Sequence, residues 1–499
     1  MAIELPRLLA RMIPGTSESL PEGVRIAGVF LEGDALVHTG ASKPLSDVIE
    51  ARKAAKRFSA KAGENFIVEG GSPVLVLGLG EKKDFTVAVF REALVKAADA
   101  VCGWAARVVL DLEDCRPDDV CPKHFVRSAA DVLLDACTPR IDFKTEDKKE
   151  PDEVEFVWVA KGGEEIAAGI EEGRATAYAK RICRWLADLP ANIATPAFLG
   201  EAALRLGETF DNLEVTVMGL EEIRSLGMGC FLAVAQGSVE EPRFIAMRYR
   251  GADEGEPLKA IVGKGITFDA GGISLKPAAG MWDMTYDMCG AASVIGTMAG
   301  LASLKAPVNV IGVVAACENL PSGSAVKPGD VVTSLSGRTV EILNTDAEGR
   351  LILADALTWT LRQKPSLIVD MATLTGACCV ALGAPYSGLF SNSDALADAL
   401  VKSGRKACDP LWRLPVGPEY LKLMKSVVAD ISNISCKREG GASTAAAFLE
   451  TFVGKETPWA HLDIAATANE GNPKRRATGR PVGALMHFLV NGSCNLGDN

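Results

Sequence analysis

Lys259–Lys276 reads KAIVGKGITFDAGGISLK, and its order of residue types points to the class of fold. An apolar run, Lys259–Val262, leads to Lys264; Asp269, a Gly271-Gly272 turn and Lys276 follow. Short apolar runs bounded by glycine read as buried strands. A second run, Val340–Leu343, opens into NTDAEGR (Asn344–Arg350) and then an apolar helix, Leu351–Leu361. Strand, polar corner and helix make up the repeating unit of α/β sheets, whose ligands bind outside the carboxyl ends of the strands.

Working outward, strands are expected at Leu213–Met218, Arg243–Tyr249, Val308–Ala315, Leu367–Val369 and His461–Ile464, with helix-length segments between them. Towards the N-terminus, Val24–Leu31, Pro73–Leu77 and Glu153–Ala160 read as strands, and Phe85–Leu112 carries helical spacing. Lys144–Asp152 (KTEDKKEPD) reads as an exposed loop. Glu164–Leu189 reads as one helix that Pro190 ends. The expected architecture is two α/β domains, the larger C-terminal one having a mixed, mainly parallel central sheet. Residues 1–163 form the smaller domain, 164–195 a linking helix and loop, and 196–499 the catalytic domain.

The 499 residues are 48% hydrophobic and 23% charged, the balance of a globular protein with a large core. The net charge of −11 disfavours nucleic acid or a membrane surface as partner, since both select a basic footprint. No basic leader precedes Glu4, and no polar-flanked apolar stretch reads as a membrane span. Thirteen cysteines without a C-x-x-C read as reduced, mostly buried thiols of a cytoplasmic protein.

Only four histidines occur, His38, His124, His461 and His487, and none pair at ligand spacing, so a histidine-rich zinc site is excluded. The chemistry lies instead in Lys264, Asp269, Lys276 and Asp287, together with Asp346, Glu348 and Arg350. Four carboxylates gathered at one sheet edge repel unless protons or metal neutralise them. Oxygen-rich sites suit Mg, Mn or Zn, and a bridged pair of ions activates water while polarising a carbonyl. A lysine that ligates metal must be neutral, so Lys264 would need a pKa lowered by nearby cations. Gly263-Lys264-Gly265 lacks the rest of a phosphate-binding loop, and Gly78-Leu79-Gly80 reads as a tight turn. His461 reads as a satisfied core histidine, and Lys474-Arg475-Arg476 as a solvated loop.

VGKGITFDAGGISLKP (Val262–Pro277), MTYDMCGAA (Met284–Ala292) and NTDAEGRL (Asn344–Leu351) resemble the signature segments of the leucyl (cytosol) aminopeptidase family, which are two-metal exopeptidases. LGMGCFLAVAQGS (Leu226–Ser238), DMATLTGAC (Asp370–Cys378), WAHLDIA (Trp459–Ala465) and DLPANIATP (Asp188–Pro196) extend the resemblance across Ala187–Val490. It implies that Asp269 and Glu348 bridge two divalent ions, Mn²⁺ or Zn²⁺, with Mg²⁺ an option at the exchangeable site. Lys264 and Asp287 would complete the tighter site and Asp346 the looser one. Lys276 would hold the substrate carbonyl and stabilise the gem-diolate oxyanion. Arg350 would hold a bicarbonate as general base, with Ala347, Gly349 and Leu374 completing that anion pocket through their backbone. Met284, Thr373, Gly376 and Ala465 match positions that line the pocket for the N-terminal side chain, leucine or another apolar residue. The resemblance further implies peptide substrates with a free N-terminus, a homohexamer and a cytoplasmic location.

Two departures from the family pattern are Ala466, where glycine is common, and Arg480-Pro481, which replaces an apolar continuation. Because some bacterial relatives bind DNA, a DNA-binding regulator on the same scaffold is the alternative reading.

Overall fold

The strand expected to end at Val262 runs on through Lys264 to Asp269, as Leu258–Asp269. It lies inside an eight-stranded sheet, flanked in parallel by Asn309–Asn319 and Leu367–Ala372. Trp459–Asp463 extends the parallel core beyond Leu367–Ala372, whereas Arg243–Arg250 and Leu213–Met218 close the far edge antiparallel. The computed structural model describes residues 3–16, 22–38, 43–145, 153–160, 163–437, 439–471 and 474–491. The expected loop at Lys144–Asp152 falls mostly outside them.

Two compact units divide between Arg181 and Ile182, within the continuous helix Glu164–Asp188. In the unit that holds Ile182–Asn499, Asn309–Asn319 is buried along its whole length, which explains the apolar run Val310–Cys317 between its polar ends. The helices Cys289–Leu304 and Gly349–Leu361 are also buried almost throughout. The first of these is rich in glycine and alanine so that it can lie directly on the sheet. A Cβ on Gly263 would stand 2.5 Å from the Gly290 carbonyl, and one on Gly290 would stand 2.3 Å from the Met371 carbonyl. This close approach sets Asp287, just before the helix, beside Lys264. Met281–Leu304 is long and apolar enough to cross a membrane, yet 89% of its apolar window is buried inside the protein.

The unit Arg7–Arg181 has a sheet in the order Ala10–Gly15, Val154–Val159, Arg107–Leu110, Val24–Glu32, Val74–Glu81 and Asn65–Val68. The first five strands are parallel, and Asn65–Val68 is antiparallel. Two sequence expectations change here. Helical spacing over Phe85–Leu112 resolves into a shorter helix, Val87–Val101, followed by the strand Arg107–Leu110. Gly78-Leu79-Gly80 is a bulge inside a strand, where Val29 pairs with Gly78 and Phe30 with Gly80, rather than a turn after it. The cysteine reading is also corrected at one pair. The helices Val87–Val101 and Pro122–Ala136 stack Phe90 on Phe125 and carry at their ends Cys102 and Cys137, which form a disulfide.

Candidate functional site

The site forms where the strands Leu258–Asp269, Asn309–Asn319 and Leu367–Ala372 reach their carboxyl ends. Lys264, 3% exposed, extends its ammonium to 2.8 Å from Asp287 Oδ2 and 2.7 Å from Glu348 Oε1, and donates to the Thr373 carbonyl at 3.0 Å. Asp269 Oδ1 accepts from Gly271 N at 2.9 Å and from Asn319 Nδ2 at 2.8 Å. Its other oxygen, Oδ2, faces Lys276 Nζ at 2.8 Å, and Lys276 also lies 2.5 Å from Asp346 Oδ1. Asp287 Oδ1 accepts from Thr373 Oγ1 at 2.7 Å.

The local sequence explains this convergence. Gly271 (φ +87°) and Gly272 (φ +62°) turn the chain sharply after Asp269, in a backbone region that glycine enters without steric cost. Lys276 is thereby returned towards the strand end it left. In the second segment, Asn344 Oδ1 accepts from Asp346 N at 2.9 Å, a side-chain-closed turn that starts the corner. Glu348 stands at the N-cap of Gly349–Leu361, where the positive end of the helix favours carboxylates. Gly349 has to be small: a Cβ there would meet Lys264 Nζ at 2.7 Å. The two segments are joined by Thr345, whose Oγ1 donates to the Gly271 carbonyl at 2.6 Å and accepts from Ser274 N at 2.8 Å. Ser274 Oγ in turn accepts from Thr345 N at 3.2 Å.

Asp269, Asp346 and Glu348 bring ligand oxygens within 4.8 Å of one another. Asp287 joins them through the shared ammonium of Lys264. Asp287 Oδ2, Asp346 Oδ1 and Glu348 Oε1 are buried and receive no well-directed hydrogen bond from the described residues, although lysine ammonium groups stand at ion-pair distance. Buried anionic oxygens of this kind fit hard divalent cations. Burial raises the pKa of Asp269, Asp287 and Asp346, and neighbouring carboxylates add to the effect. For Lys264, burial works against the ammonium, but Asp287, Glu348 and Asp269 outweigh it and hold the pKa above its usual value. Bound cations would act in the opposite direction to these carboxylates.

Arg350 is buried and donates from Nη1 to the Asn433 carbonyl at 2.8 Å; burial pulls its pKa down to about 10. Ala347 lies on the same corner, its carbonyl accepting from Asn433 Nδ2 at 3.2 Å. Among the expected pocket residues, Thr373 and Leu374 follow the strand end, and Leu374 N points at Asp463 Oδ1 at 3.3 Å. Ala465 N donates to the same oxygen at 3.2 Å. Met284 lies on the short helix Met281–Tyr286 ahead of Asp287. Gly376 opens the helix Gly376–Leu382 with free space where a side chain would stand.

Sequence reasoning missed Asn319, Asn433 and Asp463, which brace these segments. Asn319 ends a strand, so the rule that ligands gather at strand ends could have found it. Asn433 carries no such signal. His461 is a core residue, its Nδ1 2.6 Å from Asp370 Oδ1, but its Nε2 has no hydrogen-bond partner among the described residues. Arg480 braces loops rather than the ligand cluster: it pairs with Asp409 at 2.5 Å and donates to the carbonyls of Ala384, Pro385 and Pro410.

The profile of the cytosol aminopeptidase family, catalytic domain, matches residues 181–486, the stretch that holds the whole cluster. This chain belongs to the cytosol aminopeptidase family. Among its relatives, a probable cytosol aminopeptidase of Bordetella pertussis is 56% identical over 326 residues, 64% of this chain and 65% of that protein. A probable cytosol aminopeptidase of Bordetella petrii is 43% identical over 490 residues, 93% of this chain and 95% of that protein. The solved structure of the bottromycin maturation enzyme BotP is similar with a TM-score of 0.82 and 33% identity, covering 94% of this chain and 99% of that one. The same enzyme in complex with Mn gives the same TM-score and identity.

Proposed function

We propose that this cytosol aminopeptidase family member removes N-terminal residues, leucine and other apolar ones preferred, from peptides with a free N-terminus, using two divalent ions. The observation that carries this reading is the meeting of Asp269, Asp346 and Glu348 within 4.8 Å, with Asp287 and Lys264 alongside. Mn²⁺ and Zn²⁺ are the proposed metals; the similarity to a protein solved with Mn supports the first. Asp269 and Glu348 would hold both ions, Lys264 and Asp287 the tighter one, and Asp346 the looser one, which could also accept Mg²⁺. When bound, such a pair polarises a carbonyl and makes a bound water nucleophilic near neutral pH.

The residues of the chain supply the rest. Lys276 is kept cationic because Asp269, Asp346 and Glu348 outweigh the cost of its burial, so it suits the stabilisation of negative charge growing on the substrate carbonyl oxygen. Arg350 would hold a bicarbonate that takes up the proton of the attacking water, helped by the backbone of Ala347, Gly349 and Leu374. Met284, Thr373, Gly376 and Ala465 would line the pocket for the first side chain. Family resemblance supports a homohexamer, and the relatives' printed names support a cytosolic location. No observation favours the DNA-binding alternative: Lys474 and Arg475 of the basic run lie against Glu470 and Asp283.

The test is hydrolysis of leucine p-nitroanilide before chelation, after it, and after Mn²⁺ or Zn²⁺ is restored, with the N-acetylated substrate as control. Metal-restored cleavage of the free-amine substrate alone is expected. Cleavage that survives exhaustive chelation, or equal cleavage of the acetylated substrate, would overturn the reading.

A further inference from the structure

Asn319 ends the strand Asn309–Asn319, opposite Asp269 at the end of its neighbour. It is 2% exposed, and both hydrogens of its side-chain amide are used. One goes to Asp269 Oδ1 at 2.8 Å and the other to the Thr345 carbonyl at 3.0 Å. Asp269 Oδ1 also accepts from Gly271 N at 2.9 Å, so both of its lone-pair positions are taken. Oδ2, which faces Lys276 Nζ, is the oxygen left for a metal.

We propose that Asn319 is a positioning residue for the metal centre: by engaging Asp269 Oδ1 it makes Asp269 offer Oδ2 alone to both ions, and by holding the Thr345 carbonyl it locks that ligand to the corner bearing Asp346 and Glu348. The proposal rests on the two-metal reading above. A buried amide that merely needed partners would find them anywhere in its surroundings. Here its two donors reach two chain segments, each of which carries ligands. Gly272 closes over the amide, since a Cβ at that position would stand 2.8 Å from Asn319 Oδ1.

The consequence follows from carboxylate geometry. Without the amide, Oδ1 keeps only the Gly271 N–H, and the lone pair set free lets the aspartate swing and chelate one ion with both oxygens, so that the second ion loses a ligand. The second ion also depends on Asp346, one residue beyond the carbonyl that Asn319 holds. Loss of the amide therefore falls on the looser ion. Partners that orient metal ligands typically change affinity by about 10–100-fold when removed.

The experiment titrates Mn²⁺ into the metal-free full chain by calorimetry for wild type, Asn319→Ala and Asn319→Leu. Leucine keeps the branching of asparagine and removes its donors, so it is read if the alanine variant does not fold. Melting of the metal-free proteins checks the fold. Electron paramagnetic resonance at two equivalents of Mn²⁺ reads whether the ions are spin-coupled. Both variants are expected to keep the first Kd within a few-fold and to weaken the second by about 10–100-fold, with the coupled signal diminished and kcat recovering at saturating Mn²⁺. Two equivalents bound with wild-type affinity and coupling would overturn the proposal, whatever happens to kcat. A wild-type chain that takes up no Mn²⁺ would instead overturn the two-metal reading itself.

Discussion

Asn433 receives the guanidinium of Arg350 on its main-chain carbonyl at 2.8 Å. Its side chain meanwhile closes the corner that carries Asp346 and Glu348. Oδ1 accepts from Leu343 N at 2.9 Å and Asn344 N at 3.3 Å, and Nδ2 donates to the carbonyls of Asn344 at 2.6 Å and Ala347 at 3.2 Å. One fully buried residue thus sets the arginine and the acidic corner together.

Replacing Asn433 by alanine leaves backbone groups on that corner without partners, each costing about 1–3 kcal/mol when buried. The expected result is a chain that melts lower and loses kcat as the corner bearing Asp346 and Glu348 loosens, although the main-chain carbonyl that receives Arg350 is retained. Thermal melting alongside steady-state kinetics checks this. Unchanged kcat in the variant would show that the corner holds its shape without the amide.

Gly349→Ala should lower activity and stability together. The added methyl would collide with Cδ, Cε and Nζ of Lys264 at 2.6–2.7 Å, and that ammonium is buried against Asp287 and Glu348. Displacing it leaves buried carboxylates unpaired, so melting is expected to drop, at a cost of about 3–5 kcal/mol, and hydrolysis of leucine p-nitroanilide to fall steeply. Full activity would show that the position of Lys264 is not critical.

Asp355 gives the catalytic unit a pH dependence unrelated to catalysis. Its carboxylate accepts from Leu335 N at 2.7 Å and Phe231 N at 2.9 Å, yet burial outweighs these donors and pushes its pKa up to about 7. Between the unfolded value of about 4 and this folded value, the native state binds the extra proton, so the contribution is largest in acid and fades as pH rises. The slope is about 1.4 kcal/mol per pH unit inside that window. Urea unfolding at pH 5, 6, 7 and 8 should show wild type losing ground to Asp355→Asn up to about pH 7. A difference constant across the series would count against the shifted carboxyl.

In the unit Arg7–Arg181, Asp131 is buried between Arg91 at 2.7 Å and Lys180 at 2.7 Å. Burial opposes its ionisation, but the two cations hold its pKa well below the usual carboxylate range. Its contribution is therefore complete at neutral pH and lost only in strong acid. Asp131→Ala takes the shared carboxylate from two mostly buried cations, and removal of one partner from a buried ionic group costs up to about 3–5 kcal/mol. Hydrogen exchange in the strands Arg107–Leu110 and Val154–Val159 should accelerate. Unaltered protection would mean that the cations find water or other acceptors.

The sequence showed the catalytic sheet more clearly than its edges. Leu258–Asp269 and Asn309–Asn319 announce themselves by their apolar stretches, Ala260–Val262 and Val310–Cys317, because strands buried on both faces are apolar along most of their length. Leu411–Arg413, at the edge of that sheet, and Ile431–Ser432, in a separate three-stranded sheet, are too short to carry any period, and Ala35–His38 of the other unit is mostly half-buried on an edge. At the site, charged residues stood out against small and apolar neighbours, so Lys264, Asp269, Asp346 and Glu348 were legible. The bonds of Asn319 and Asn433 join segments 26 to 90 residues apart and leave no local pattern, so that the strand end was the one signal for Asn319 and Asn433 had none.

The pairing of Thr345 with Ser274 has a consequence for synthesis. A ribosome that has reached Arg350 has already made the carboxylates of the cluster and this clasp, but Asn433 and Asp463 are still to come. The two acidic segments can therefore be joined on the growing chain before the residue that closes the corner around Asp346 and Glu348 exists. Under the two-metal reading proposed above, a chain that stops short of Asn433 would carry the proposed ligands on an unbraced corner.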